Sequence, residues 1–224
     1  MGIVAKQSIW NTILLYAGVL IGYVNVVLLF PMVIGDEAYG LTRILLSIVF
    51  IAQQFAMIGT PSVLLRYFPR FEGVGKKGLV YYTLVMTALG TGLIVLLMIL
   101  FKDPIIAFKV EESDLLNQYY LLSIPITLCM VAYLYFTAIC RAYLETTLPI
   151  FTYEFLFKII TMLLLLGTWY FEWSLNTFLW LWMLSYTFNV ITLFIHLLIK
   201  KRLDLTRFEQ KDTPFIKESL DFGF

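Results

Sequence analysis

Long apolar stretches alternate with short charged segments along the whole chain. Five stretches lack Asp, Glu, Lys and Arg altogether, and they cover residues 7–35, 44–65, 78–101, 115–140 and 173–199. Each is at least as long as the roughly 20 residues that a helix needs to cross the hydrocarbon core of a bilayer. A sixth apolar stretch, residues 146–171, is interrupted only by Glu154 and Lys158. The pattern therefore predicts six membrane-spanning segments.

The continuity of these stretches favours helices over strands. Lipid offers no water to backbone N–H and C=O groups, so only helices and closed barrels span a membrane. A barrel strand would alternate apolar and polar residues in segments of about ten, whereas the apolar runs here are unbroken. We predict an all-α integral membrane protein with a bundle of six transmembrane helices, at about residues 8–34, 41–65, 79–101, 116–140, 148–170 and 174–199. Residues 203–224 are predicted to form a cytoplasmic amphipathic linker.

Composition supports the same class. Apolar residues make up 61% of the chain and charged residues 14%, against about 45–50% and about 25% in soluble domains. These values exclude an ordinary soluble enzyme, a disordered chain and a disulfide-rich secreted domain. The net charge of +1 gives the chain nothing that would attract nucleic acid.

The distribution of Lys and Arg among the short loops predicts the orientation. If the N-terminus is cytoplasmic, the outer side carries only Lys102 and Lys109. The cytoplasmic side then carries Lys6, Arg66, Arg70, Lys76, Lys77, Arg141, Lys200, Lys201, Arg202, Arg207 and Lys211. Cytoplasmic loops are enriched in Lys and Arg, so we predict that both termini face the cytoplasm.

Two ionisable residues in the fifth predicted span indicate a functional position. Glu154 and Lys158 are four residues apart, so a helix places them on one face with the acid before the base, which is the favourable order. With a helix start near Pro149, Lys158 lies about 14 Å along the span, close to the middle of the bilayer. Charges at this depth are costly and usually face the bundle interior or a wet cavity. The alternative is a later helix start, from which Lys158 extends to the cytoplasmic interface.

Other polar residues in the spans are candidates for the same cavity. They are Arg43, near the outer end of the second span, Gln53 and Gln54 near its middle, and Asn25 in the first span. Arg43 can also extend to the interface. The amides can instead join neighbouring helices by hydrogen bonds.

Two glycine-containing motifs predict special helix geometry. Gly18 and Gly22 form a GxxxG pattern that permits close contact between helices, including dimerisation. Gly59 and Pro61 are predicted to interrupt the second span, and such breaks are common in transporter helices.

The chain offers little for enzymatic chemistry. His196 is the one histidine, and Cys129 and Cys140 lie on one helix, so no metal site and no cofactor are predicted. No phosphate-binding glycine loop is present, and no paired catalytic carboxylates share a loop. We therefore predict that the chain is not an enzyme, and that His196 is a packing residue rather than a proton relay.

Several motifs resemble one transporter family. Gly35–Arg43 reads GDEAYGLTR at the head of the second span, and Arg66–Gly73 reads RYFPRFEG at its exit. Arg141-Ala-Tyr, Pro149 and the Glu154–Lys158 spacing follow later in the chain. Together they resemble the lipid-linked oligosaccharide flippases of the multidrug/oligosaccharidyl-lipid/polysaccharide exporter superfamily.

The resemblance implies a fold and a function. The fold has two six-helix lobes that rock in alternating access, and this chain corresponds to the N-terminal lobe, with residues 212–224 entering a seventh helix of a missing C-terminal lobe. The implied function is to move undecaprenyl-diphosphate-linked oligosaccharide across the bacterial inner membrane, for the synthesis of cell-surface polysaccharide or lipopolysaccharide. The expected substrate-binding residues are Arg43, Arg66, Arg141, Glu154, Lys158, Asn25, Gln53 and Gln54. The resemblance thus implies that the chain is an N-terminal half that arises from truncation or from an incomplete reading frame, and we expect its other contacts to be membrane lipids.

Three other functions remain as alternatives, and one of them is a purely structural or assembly subunit. A multidrug or cation exporter of the same superfamily would need acidic groups in its cavity, for which only Glu154 qualifies. A membrane-embedded glycan-processing enzyme would need catalytic side chains on sizeable loops.

The predicted orientation can be tested by cysteine labelling. In a chain without Cys129 and Cys140, single cysteines placed next to Asp36, Glu111 or Glu172 should react with an impermeant maleimide added from outside. Cysteines next to Lys76 or Lys201 should react only after the membrane is opened. Labelling from outside at the second group would overturn the orientation.

Overall fold

The computed structural model describes residues 3–70, 74–107 and 114–203. Six helices in these ranges are long and apolar enough to cross a membrane: α1 (Gln7–Ile34), α2 (Asp36–Met57), α3 (Gly78–Leu100), α4 (Leu115–Ala142), α5 (Thr147–Phe171) and α6 (Leu175–Ile199). The predicted all-α bundle of six membrane helices is confirmed. The predicted linker at 203–224 lies outside the described residues except for Leu203.

The helix of α1 begins at Ile3 and changes its geometry before it ends. It is α-helical over Ile3–Tyr23, forms a π-helix over Val24–Leu29, and returns to α-helix over Phe30–Ile34. At Gly35 the backbone adopts φ 80°, a conformation that a residue without Cβ adopts at little cost. The chain then turns into α2, whose first turn carries Asp36 and Glu37 next to the positive end of the helix dipole.

The predicted interruption of the second span is present. α2 ends at Met57, Ile58 and Gly59 have φ values of 45° and 66°, and a new helix covers Thr60–Tyr67 with Pro61 in its first turn. The Thr60 hydroxyl donates to the Met57 carbonyl at 2.7 Å and is 2.8 Å from the Thr87 hydroxyl on α3. The break is thus held against the neighbouring helix.

α3 belongs to a helix that begins at Val74, and it leads through the short helix Lys102–Ala107 toward α4. The helix of α4 is locally tightened. It is α-helical over Asp114–Tyr119, forms a 3₁₀ turn over Tyr120–Leu122, and continues as α-helix over Ser123–Ala142. Pro125 lacks an N–H, and its ring clashes with the carbonyl four residues earlier, which lies in this 3₁₀ turn.

α4 is the centre of the bundle. It packs against α2, α3 and α6, while α5 packs against α1 and α6. One buried cluster joins the first half of α4 to α2 and α6, with Leu45, Ile126 and Phe178 fully enclosed. A second cluster joins its other half to the Thr60–Tyr67 helix and the end of α6, around Tyr135 and Leu193.

The contact between α3 and the break in α2 predicts the effect of one added methyl group. A Cβ at Gly90 would lie 2.3 Å from the Ala56 carbonyl oxygen, whereas a Cβ at Gly92 would meet nothing within 4 Å. Gly90→Ala should therefore lower the free energy of unfolding by about 1–3 kcal/mol, as overpacking usually does. Gly92→Ala should be neutral or slightly stabilising, because Ala favours helix. Thermal unfolding in detergent compares the two, and equal melting temperatures would contradict the packing.

Candidate functional site

α1 and α5 run parallel and in close contact along one stripe of α1. The Asn11 amide donates to the Thr146 hydroxyl at 2.9 Å, just before α5. Further along, a Cβ at Gly18 would lie 2.1 Å from the Glu154 carbonyl oxygen. A Cβ at Gly22 would sit in ordinary contact with Lys158, 3.5 Å from its Cδ. The GxxxG motif therefore packs against α5 within this chain.

Each of these two helices contains a π-helical turn at the contact. The turn of α1 is Val24–Leu29 and packs against α5, and the turn of α5 is Phe151–Leu156 and packs against α1. π-Turns are rare in proteins, but those that occur are often found at functional sites. Their coincidence marks this contact as the candidate site.

Glu154 and Lys158 form an ion pair at this contact. The Lys158 Nζ atom is 2.7 Å from the Glu154 Oε2 atom, and the two side chains are 24% and 28% exposed. Neither side chain is thus enclosed by protein on all sides.

Asn25 completes the contact from α1. Its side chain is only 3% exposed, and its Nδ2 atom donates to the Lys158 carbonyl oxygen at 2.7 Å. Its Oδ1 atom is buried and has no hydrogen-bond partner in the described part of the chain. Buried amide oxygens are normally paired, so this atom is an acceptor available to a ligand or a water molecule.

Asn25 and Lys158 border a cavity of about 200 Å³ between α1, α2, α5 and α6. Asn25, Arg43 and Lys158 line it together with aromatic side chains, among them Tyr39 and Tyr186. The Arg43 Nε atom donates to the Tyr39 hydroxyl at 2.9 Å, and the guanidinium carbon lies 4.8 Å from the centre of the same ring. The cavity thus combines two basic side chains with an aromatic wall.

The other predicted site residues lie away from this cavity. Gln53 is buried, with no hydrogen-bond partner for its Oε1 atom among the described residues, and Gln54 is exposed. Arg66 and Arg141 are exposed in the last turns of the Thr60–Tyr67 helix and of α4. The structure therefore brings together Asn25, Arg43, Glu154 and Lys158, and it leaves the remaining four outside.

A second polar cluster, which sequence reasoning missed, joins the α4–α5 loop to the end of α6. Glu145 Oε2 is 2.7 Å from His196 Nε2 and 2.5 Å from Arg202 Nη1. The Arg202 guanidinium lies 4.3 Å from the centre of the Tyr143 ring, which packs edge-on against Phe68. His196 is thus a partner in an ion cluster rather than a packing residue. In the sequence, only the isolated histidine pointed to this cluster, because its partner Glu145 is far away along the chain.

The cluster stabilises the loop electrostatically. Burial by itself raises the pKa of Glu145, but the hydrogen bond from His196 and the charge of Arg202 outweigh it and hold that pKa below its ordinary value. A lowered pKa means that the stabilisation is present above the ordinary value and is lost as the pH falls through the folded-state value.

The ion pair on α5 can be tested by a double-mutant cycle. Glu154→Ala leaves the Lys158 ammonium without its counter-ion, so it should lower the melting temperature more than the double change to alanine does. For a pair that is about a quarter exposed, we expect a coupling free energy of about 1 kcal/mol. Additive effects of the two single changes would contradict the pair.

The chain was compared with known families, curated proteins and solved structures. No family model and no curated protein matches it. It is similar to the crystal structure of a point mutant of the MATE transporter VcmN from Vibrio cholerae. The TM-score is 0.70 at 18% sequence identity, and the match covers 98% of this chain and 51% of VcmN. The chain thus spans about half the length of that transporter, and it has the fold of half a MATE transporter.

Proposed function

We propose that this chain is one lobe of a membrane transporter that moves a lipid-linked oligosaccharide with a diphosphate linkage across the bacterial inner membrane. One observation carries the proposal, namely a cavity between four membrane helices that is lined by Arg43 and Lys158. A glycan joined to a lipid by a diphosphate is polar and anionic. Its passage through a bilayer requires a protected path with cationic groups.

The charges of the cavity support an anionic ligand. Glu154 neutralises Lys158, whereas the hydrogen-bond partner of Arg43 among the described residues is the neutral hydroxyl of Tyr39. The cavity therefore keeps a positive charge. A guanidinium presents a fork of N–H donors that matches phosphate oxygens.

The fold supports a transport role. Transporters built from two lobes bind their substrate near the middle of the membrane and rock one lobe against the other around it. The chain has the fold of half such a protein, so its working partner in this proposal is a second lobe. The movement itself requires no covalent chemistry at the substrate.

A multidrug exporter is the second candidate, because the similar structure is a MATE transporter. A lipophilic cation would need an acidic group in the cavity. Glu154, the partner of the cavity residue Lys158, is an acid already occupied by that ammonium. The two candidates therefore differ in the sign of charge that the cavity accepts.

Equilibrium binding of two probes to the purified chain in detergent distinguishes them. Geranylgeranyl diphosphate represents the isoprenyl diphosphate, and ethidium represents a lipophilic cation. The chain should bind the diphosphate, and Lys158→Ala or Arg43→Ala should weaken that binding about tenfold, since each removes a charged contact. Lys158→Arg should retain part of the affinity because the charge remains.

Lys200→Ala is the matched control, because it removes the same charge from an exposed position at the end of α6. It should leave the affinity for the diphosphate unchanged. Equal losses in Lys200→Ala and Lys158→Ala would contradict a specific site. Binding of ethidium that depends on Glu154 would favour the exporter instead.

A further inference from the structure

We propose that Glu154 is an internal competitor of the ligand rather than a residue that binds it. In the structure its carboxylate holds the Lys158 ammonium, and on binding an anionic group of the ligand takes its place there. The inference rests on the proposed anion-binding function and deepens it, because it assigns to the one acid at the site the opposite of a ligand-binding role.

The geometry separates the two members of the pair. Lys158 lines the cavity, whereas Glu154 is not among its lining residues. The Lys158 Nζ atom is nevertheless turned to the Glu154 Oε2 atom, at 2.7 Å. The one ammonium therefore lies between an internal anion on its own helix and the space in which a ligand would sit.

The two members of the pair lie in different parts of α5. Glu154 lies inside the turn Phe151–Leu156, and Lys158 lies in the α-helix that follows. On this stretch of α5, Tyr153, Phe157, Lys158 and Thr161 line the cavity, whereas Glu154 does not. The acid remains within reach of the ammonium but outside the binding surface.

The surroundings leave Lys158 free to exchange partners. Its Cδ, Cε and Nζ atoms lie 3.5–3.6 Å from the position of a Cβ on Gly22, so no side chain of α1 blocks the stem there. The side chains of the pair are 24% and 28% exposed, so neither is enclosed by protein on all sides.

No acid is among the described residues that line the cavity. The titratable groups that line it are Lys158 itself, Arg43 and Tyr39 on α2, Tyr153 on α5 and Tyr186 on α6. Tyrosines are neutral at physiological pH, so Glu154 is the anion against which a ligand competes for Lys158. Nearby, the buried Oδ1 atom of Asn25 can accept a hydrogen bond from a ligand hydroxyl or a bound water.

Competition of this kind weakens binding and speeds release. A transporter must release its substrate on the far side, and differences in affinity at one site lie mostly in the dissociation rate. Glu154 thus keeps the affinity low enough for the ligand to dissociate.

The test measures pyrophosphate binding to the purified chain by calorimetry, for the unchanged chain, Glu154→Gln, Lys158→Ala and the double variant. Glutamine keeps the shape of the side chain and removes its charge. Glu154→Gln should bind pyrophosphate roughly three- to tenfold more tightly, since the ligand no longer displaces an ion pair. In the Lys158→Ala background, Glu154→Gln should not change the affinity for pyrophosphate, because the ammonium for which carboxylate and ligand compete is gone.

Asp103→Asn is the control for a general loss of negative charge, because Asp103 is exposed in the short helix Lys102–Ala107. It should not change the affinity. Circular dichroism and the melting temperature verify that each variant is folded, and Glu154→Asp serves as a second variant in which the retained charge should keep the affinity near that of the unchanged chain.

The outcomes separate the two proposals. If Lys158→Ala binds pyrophosphate as tightly as the unchanged chain, the anion cavity itself is wrong. If Lys158→Ala loses binding while Glu154→Gln binds equally or more weakly, the anion cavity stands and the competitor role is overturned. A tightening by Glu154→Gln that persists without Lys158 would likewise overturn it.

Discussion

The close packing of α1 on α5 is the constraint on which the candidate site depends. A glycine at position 18 lets α1 approach to the point where any side chain would collide with the Glu154 carbonyl. That approach places Asn25 within 2.7 Å of the Lys158 carbonyl and Gly22 against the Lys158 stem. In lipid no hydrophobic driving force brings helices together. Small residues at such contacts stabilise the helix pair by allowing close van der Waals packing. The position of the charged pair relative to the cavity follows from this contact.

The same contact explains how a charged pair can be present in a membrane helix without being inert. A fully enclosed ion pair would be a structural element, costly to break. Here each side chain retains about a quarter of its exposure, and one of them lines a cavity that also contains Arg43. Each of the two helices contains a π-helical turn at this contact. The site therefore combines a fixed backbone with side chains that can change partners.

The sequence was sufficient for the features that depend on local spacing and failed for those that depend on tertiary contacts. Six spans followed from the length of the apolar runs, and the break after Met57 followed from Gly59 and Pro61. The i, i+4 spacing of Glu154 and Lys158 indicated their pairing. By contrast, nothing local distinguishes Gln53, which is buried, from its exposed neighbour Gln54. The partners of Gly18, Asn25 and His196 lie on distant segments, and a single sequence shows no such pairing.

The most direct measurement of this account adds one methyl group to α1 and follows ligand binding. Gly18→Ala should separate α1 from α5, displace Asn25 from Lys158 and weaken the binding of geranylgeranyl diphosphate, while the chain remains helical. Gly22→Ala, whose Cβ would make only ordinary contacts with Lys158, should retain most of the affinity. If Gly18→Ala binds the diphosphate as tightly as the unchanged chain does, the packing of α1 on α5 does not determine the site.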